Sequence, residues 1–537
     1  MHLVRRRRTL ALVITVIAAS LLLVSDVRTQ GSIADVDLGL GARLSGRLTM
    51  AAAPVPRRRD GPPIGAMTPP ERRAAVDALW GPGLPTAEKL AIFDKFWNAV
   101  DTQFAAFQGI EDNWTALRER YRPEVAAGVS RGRFAAIINR MSLALREAHT
   151  MPQDLLVNVF TLPEPGVPLV GVGSWIDTSG ACLTAQDDGS ALVYGAVAGH
   201  PLGLKPGDRI LGYDGIPWPD LYPRLIAEEL PMWGLWWGSG PEGYEHSWVM
   251  SAGMNWHLFD TMDVFKQATG TVAHLATSLM PGPMLALCTE QLPVPGVTLP
   301  SYFGGDLVRS GVVDGTNIGY IYVYAWVDPA PADFAAAVRE LTQVRKVDGL
   351  IIDFRFNIGG FIRGPLTGLA ALFDHPSTTI ASDVRRRPDD HLAMWSFILP
   401  PFWTVDFDSA RQRDKASFDG PIAVLVGPGA VSAGDFGAVM AAQHPRARTF
   451  GKTTAMGIGL PTQPTLGNEL FLHPEWEARV TVTNTYLVGK PRQYLIHTDL
   501  PVDERVWLRP SDVAAGKDTV VEAALRWLRQ ELAAAPH

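Results

Sequence analysis

Acyl transfer at a serine needs a hydroxyl, a base that takes its proton, a group that orients the base, and N–H donors where the oxyanion forms. The chain offers candidates for several of these parts. Ser432 stands within "PIAVLVGPGAVSAGDFGAVM" (Pro421 to Met440), after an apolar strand-like run and a Gly-Pro-Gly break, where a helix starts. A hydroxyl there sits at the positive end of the helix dipole, and the N–H of Ala433 points toward a developing oxyanion. Ser432 and Asp435 also form a Ser-x-x-acid pattern close to a capping box, and local chemistry alone favours the cap. Upstream, "GLIIDFRFNIGGF" is an apolar strand carrying Asp353 and Arg355 that runs into Asn357-Ile358-Gly359-Gly360. Paired glycines after a buried strand let backbone N–H groups face a ligand without side-chain obstruction, and a plain tight turn has the same signature.

The elements that must position these groups follow from periodicity. Ile92, Phe93, Phe96, Trp97, Val100 and Phe104 keep helical spacing, as do Phe134, Ile137, Ile138, Met141 and Leu145, which predicts an N-terminal helical segment over 71–155. From Ile318 strands and helices alternate: "IGYIYVYAW", "PADFAAAVRELTQVRK", "VDGLIIDFRFN", "PIAVLVG", then the helix from Ser432. That order predicts an α/β layered domain over 300–535 with buried, parallel strands.

Composition narrows the function classes. At 537 residues and 47% hydrophobic, the chain can bury several cores. Its formal charge is −7, but residues 66–537 carry 38 basic and 51 acidic side chains, and an acidic body argues against nucleic-acid binding. Cys182 and Cys288 are the only cysteines, too few for a thiolate zinc cluster; one bridge and two buried thiols both fit. The twelve histidines include no HExxH, and "NIGG" is too short to cradle a nucleotide, so no metal or cofactor is expected. "MHLVRRRRTLALVITVIAASLLLVSD" places four arginines before sixteen mostly apolar residues, Thr9 to Val24. This is the order of a secretory signal, so 1–30 reads as a signal peptide or an uncleaved membrane anchor and the body as exported. The Ala, Gly, Pro and Arg of 31–70 read as a flexible linker.

Gly203-Leu204-Lys205-Pro206-Gly207-Asp208, followed by Ile210 and a later Asp-Gly, resembles the signature of PDZ domains in exported proteases. Such domains take an extended peptide at a sheet edge. The resemblance implies a PDZ-like β domain over 165–295 with Gly203 and Leu204 at its peptide site, interrupted at about 221–270 by a Trp-rich insertion. The tryptophans either pack against their own domain or offer an apolar contact surface.

"DGLIIDFRFNIGG" together with "VLVGPGAVSAGDFGAVMAAQ" resembles the tail-specific, or C-terminal processing, serine peptidases, whose catalytic fold is crotonase-like (ClpP-type). The resemblance extends from about Phe93 through most of the chain. It implies polypeptide substrates, Ser432 as nucleophile, and oxyanion donors from Gly359 or Gly360 and from Ala433. The family has two branches that differ in the base. One takes a lysine from a segment like "TFGK", which ends here at Lys452, only twenty positions after Ser432. Without gaps the expected lysine position falls near Gly457, which leaves Lys452 as the alternative base. The other branch, like the tricorn core protease, takes a histidine from a motif resembling D-G-H-T. Glu147-Ala148-His149-Thr150 matches it at the end of an amphipathic helix and makes His149 the expected general base. The orienting glutamate of that branch falls near Leu495 or Ile496, where no acid stands; Asp499 and His497 are the nearest substitutes. A second reading is a catalytically inactive peptidase-like module that binds peptides or hydrophobic ligands, which the Trp-rich insertion would suit. An α/β-hydrolase is disfavoured because Ala430-Val431-Ser432-Ala433-Gly434 departs from Gly-x-Ser-x-Gly.

Overall fold

The computed structural model describes residues 64–110, 113–173, 175–234, 237–301, 305–373, 380–397, 418–462, 470–488 and 491–534. The arginine-led apolar run lies outside the described residues, among which no helix is long and apolar enough to cross a membrane. The predicted linker ends earlier than residue 70, because Ile64 already packs into a core at 2% exposure.

Four helices open the fold: α1 (Pro69–Trp80), α2 (Thr86–Gln103), α3 (Trp114–Ala127) and α4 (Arg131–Ala144). Local caps set two of their starts. The Asn113 side chain accepts from the Thr115 and Ala116 amides, and Ser130 accepts from Arg133 N–H. The predicted apolar stripes of α2 and α4 are buried, and they share one core with the α/β domain, including Ile321, Ile352 and Val424. The helical segment is therefore packed on the α/β layers and fixes the loop that follows α4 relative to them.

The small β domain is an antiparallel sheet of β1 (Ala181–Ala185), β2 (Ala191–Ala196), β3 (Arg209–Tyr213), β4 (Thr261–Lys266) and β5 (Thr271–Ala276), in the order β5-β4-β3-β2-β1. The Trp-rich insertion joins β3 to β4 and supplies α5 (Trp218–Ala227) and α6 (Pro241–Met250). Trp218, Trp237, Trp248 and Trp256 all lie in this domain's own core, at 2% exposure or less. Leu204, expected at a peptide site, is also a core side chain at 3% exposure and offers no face to a peptide, while Gly203 turns the chain at φ 60°. Cys182 of β1 is paired with Cys288 in a disulfide.

The third part is the predicted α/β layer. Its strands are β6 (Val308–Val312), β7 (Ile318–Val323), β8 (Gly349–Asp353), β9 (Phe356–Asn357), β10 (Ile422–Val426), β11 (Gly429–Ala430), β12 (Ala447–Gly451) and β13 (Glu504–Arg505). The main sheet runs β6-β7-β8-β10-β12-β13, parallel from β7 onward. Alternate residues feed two cores, as the pleat requires. Ile321, Val323, Leu350, Ile352, Val424 and Val426 face α7 (Ala330–Arg339) and α8 (Ala433–Ala441). Tyr320, Tyr322, Ile351, Ala423 and Leu425 face α9 (Thr519–Ala534).

The segment read as one long strand, "VDGLIIDFRFN", breaks in two. Arg355, fully buried, folds its guanidinium onto Asp353 at 2.7 Å and onto Asp518, at the start of α9, at 2.8 Å. A buried cation needs such paired carboxylates, and satisfying them carries the chain out of the main sheet. It then continues as β9, which pairs in parallel with β11 (Phe356 beside Gly429, Asn357 beside Ala430). This small ribbon places the glycine turn next to Ser432.

Candidate active site

Ser432 joins β11 to α8 with φ 62° and ψ −123°, a left-handed conformation that L-residues seldom adopt. Such strain persists only where the surroundings over-determine it. Here the surroundings are named: Val431 N–H donates to Asn357 O at 3.0 Å, and Ser432 N–H donates to the Asp435 carboxylate at 2.7 Å. The capping box suggested by Ser-x-x-Asp is thus present, with full hydrogen-bond geometry on its Asp435 side, while the serine hydroxyl stands toward the Asp435 amide without full hydrogen-bond geometry. The other Asp435 oxygen accepts Met456 N–H at 2.9 Å. Burial pushes this carboxyl up to about 7, and nearby Glu147 adds to the rise.

Both glycines of the turn have φ values that exclude other residues, 92° for Gly359 and 132° for Gly360. A Cβ on Gly359 would stand 2.7 Å from the Ser432 Cβ, and one on Gly360 would stand 2.6 Å from the Trp326 carbonyl. The two differ in their amides. Gly359 N–H is spent on the Asn357 side-chain oxygen at 3.0 Å, whose amide nitrogen donates in turn to Val323 O at 2.9 Å. Among the described residues no hydrogen bond uses the N–H of Gly360 or of Ala433. Those two amides flank the serine and are available to an oxyanion.

His149 follows α4 through a turn in which Arg146 takes φ 45°. The Glu147 carboxylate holds this turn by accepting His149 N–H at 2.9 Å, the Thr150 hydroxyl at 3.0 Å and the Thr481 hydroxyl. Ala148 packs with Val431 and Ala455 in a small buried cluster, so each candidate is one residue from the contact between their segments. From the insertion, the Ser239 hydroxyl accepts Ala148 N–H at 3.1 Å and its amide donates to Ala455 O at 2.6 Å, splinting the two sides. Burial, with the positive Arg479 nearby, holds the His149 imidazole down at about 4, so it is a neutral base at physiological pH. No hydrogen bond joins the His149 ring to the Ser432 hydroxyl in this arrangement.

The remaining candidates lie elsewhere. Lys452 donates from Nζ to Ala185 O and pairs with Asp187, each at 3.1 Å, which ties β12 to the small domain. Asp499 accepts Glu242 N–H at 3.0 Å, at the start of α6. His497 Nε2 bonds Leu145 O at 2.9 Å, bracing the turn ahead of His149 without touching the imidazole. Sequence spacing marks none of Glu147, Asp435, Arg479 and Thr481 as a site residue. Glu147 and Asp435 were visible in the motifs that flagged their neighbours, whereas Arg479 and Thr481 carried no local signal. Among the described residues, no group of three or more His, Cys, Asp or Glu is placed to hold a metal ion.

Comparison with known proteins agrees with this architecture. Residues 317–490, which contain the glycine turn and Ser432, match the model of peptidase family S41, and residues 85–142 match the tricorn protease C1 domain. No curated protein sequence matches the chain. Among solved structures, mature CPAF superposes with a TM-score of 0.58 at 13% identity, covering 84% of this chain and 99% of that one. Mature CPAF complexed with lactacystin gives 0.56 at 12%, covering 83% and 98%. A putative peptidase from Parabacteroides merdae gives 0.46 at 13%, covering 82% and 96%. The CPAF likeness shows a shared fold, and the two matched stretches bracket the serine turn and the helices that lead to His149. The α/β layer is thus similar to peptidase family S41 and the helical segment to the tricorn protease C1 domain, and both matches are to serine-type peptidases.

Proposed function

We propose that this protein is an exported endopeptidase that cleaves unstructured or C-terminal peptide segments, with Ser432 as nucleophile and His149 as general base. The observation that carries the reading is the strained backbone of Ser432, at φ 62°, set between two amides with no other partner. His149 takes the hydroxyl proton as Ser432 Oγ attacks the scissile carbonyl. The oxyanion is received by the N–H groups of Gly360 and Ala433. His149 then returns the proton to the leaving amine, and water releases the acyl group by the same route. The serine–histidine hydrogen bond forms when substrate closes the site; such bonds are commonly loose in free enzymes. An extended substrate suits the small domain, whose β5 edge is paired only with β4 and is largely exposed, whereas the β1 edge is buried throughout. The arginine-led apolar run and the Cys182–Cys288 disulfide support an exported location.

The test is proteolysis of a labelled unstructured polypeptide by Ser432→Ala and His149→Ala, with folding checked by circular dichroism. Loss of cleavage in both, with folding intact, is expected. Full cleavage by well-folded Ser432→Ala overturns the reading.

A further inference from the structure

Two buried polar atoms beside the proposed base have no hydrogen-bond partner, and they face each other. His149 Nδ1 and Glu147 Oε1 are both unpaired, and they stand 3.7 Å apart in side chains that are 3% and 0% exposed. The second carboxylate oxygen, Oε2, is fully occupied by His149 N–H, the Thr150 hydroxyl and the Thr481 hydroxyl. These donors, with the Thr150 amide, fix the carboxylate, and Oε1 is the oxygen left without a full hydrogen bond beside the ring. Buried polar atoms are nearly always paired; the imidazole has a backbone bond at Gly459, and its unpartnered Nδ1 beside an unpartnered carboxylate oxygen marks a bond that a small movement of the ring would make.

We infer that Glu147 is the residue that positions His149, accepting Nδ1–H as the ring turns its Nε2 onto Ser432 Oγ. It takes the part for which no acid stands near Leu495 or Ile496. This rests on the Ser432–His149 reading. Fixing the proton on Nδ1 leaves Nε2 as the acceptor for the serine proton, and the carboxylate then stabilises the imidazolium without itself being protonated. The charged groups around the pair are Asp435, whose carboxyl is raised chiefly by burial and further by nearby Glu147, and Arg479, whose charge adds to burial in opposing protonation of His149. Burial raises Glu147 to about 7 and lowers His149 to about 4, so the pair reaches its working state, carboxylate with neutral imidazole, near neutral pH.

The experiment follows, in the full chain, the rate at which an activated phosphonate labels Ser432 as a function of pH, alongside KM and kcat for a labelled unstructured polypeptide. Glu147→Gln places an amide N–H against Nδ1 and favours the wrong tautomer. Labelling and kcat should fall roughly 10²- to 10⁴-fold with KM changed less than about 3-fold. The acid limb should move to lower pH, because the group that must ionise near neutrality is gone. Glu147→Asp keeps the charge at a longer reach and should recover part of the rate with the limb in place. Thr481→Val loosens only the anchor and should cost less than Glu147→Gln without moving the limb. A native rate and limb in Glu147→Gln, with Ser432→Ala and His149→Ala inactive, overturns this role and leaves the Ser432–His149 reading standing; full activity in Ser432→Ala removes that reading instead. Should Glu147→Gln not fold, Glu147→Asp decides: an unchanged rate refutes the role, and a rate loss with the limb kept supports it.

Discussion

The two halves of the site are built differently. On the nucleophile side, among the described residues, the backbone N–H groups around the serine are held but for two: Gly359 N–H by the Asn357 side chain, Ser432 N–H by Asp435, and Val431 N–H by Asn357 O. The two exceptions, Gly360 and Ala433, are the ones an oxyanion needs. On the base side the backbone of His149 is secured through Glu147, but the ring meets neither its carboxylate nor the serine. The first half comes from one short ribbon, β9 against β11. The second is assembled from Glu147 and Thr481, 334 residues apart, with Ser239 contributing from the insertion. Oxyanion donors fixed in advance need no reorganisation during reaction. A base that is aligned by closure makes activity depend on how distant segments come together, a form of gating.

The contrast can be broken most severely at its centre. Ser432→Ala and His149→Ala should each lower kcat by at least about 10⁴-fold while thermal unfolding stays close to that of the unmodified chain. Next, Gly359→Ala attacks the preformed half. Its Cβ would stand 2.7 Å from the Ser432 Cβ at a φ of 92°, so it should destabilise the fold by roughly 1–3 kcal/mol and cost turnover as well, read by denaturant unfolding beside kcat. An unaltered Gly359→Ala enzyme would mean that the turn is not rigid.

Asp435→Asn should produce a smaller, pH-dependent effect. Burial raises the folded-state pKa of Asp435 to about 7, above the ordinary carboxyl value of about 3.9. The sign follows directly: the protonated form is favoured in the fold, so its contribution is full below about 4 and is lost as pH rises through about 7. Unfolding midpoints of the native chain should fall across that window, and those of Asp435→Asn should fall less. Lys452→Ala should have the least effect on chemistry, within about 3-fold in kcat, because its Nζ serves Ala185 O and Asp187; stability should drop by about 1 kcal/mol. Loss of all turnover in a folded Lys452→Ala would transfer the base role to it.

Much of the fold was legible because its signals are local. The stripes of α2 and α4, the apolar strands of the layered sheet and the Ser432 turn each follow from spacing within a few residues. What escaped reading depends on partners far along the chain. The split between β8 and β9 exists because Arg355 pairs with Asp518, 163 residues later. Lys452 sits in a segment that resembles the lysine branch, yet its side chain reaches Ala185, 267 residues upstream. Leu204 belongs to a turn signature that predicts peptide contact, while hydrophobicity places it in the core. The family resemblance puts an orienting acid near residue 495, where none stands, while Glu147, the proposed orienter, lies two positions before the histidine in the motif itself.

The central claim, that Ser432 is activated by His149, is tested most directly by the second-order rate at which an activated phosphonate labels Ser432 in the native chain and in His149→Ala. Labelling at Ser432 should be at least about 10²-fold faster in the native chain, the usual worth of a positioned base. Equal rates in two folded proteins, or labelling of the native chain at a residue other than Ser432, would contradict it.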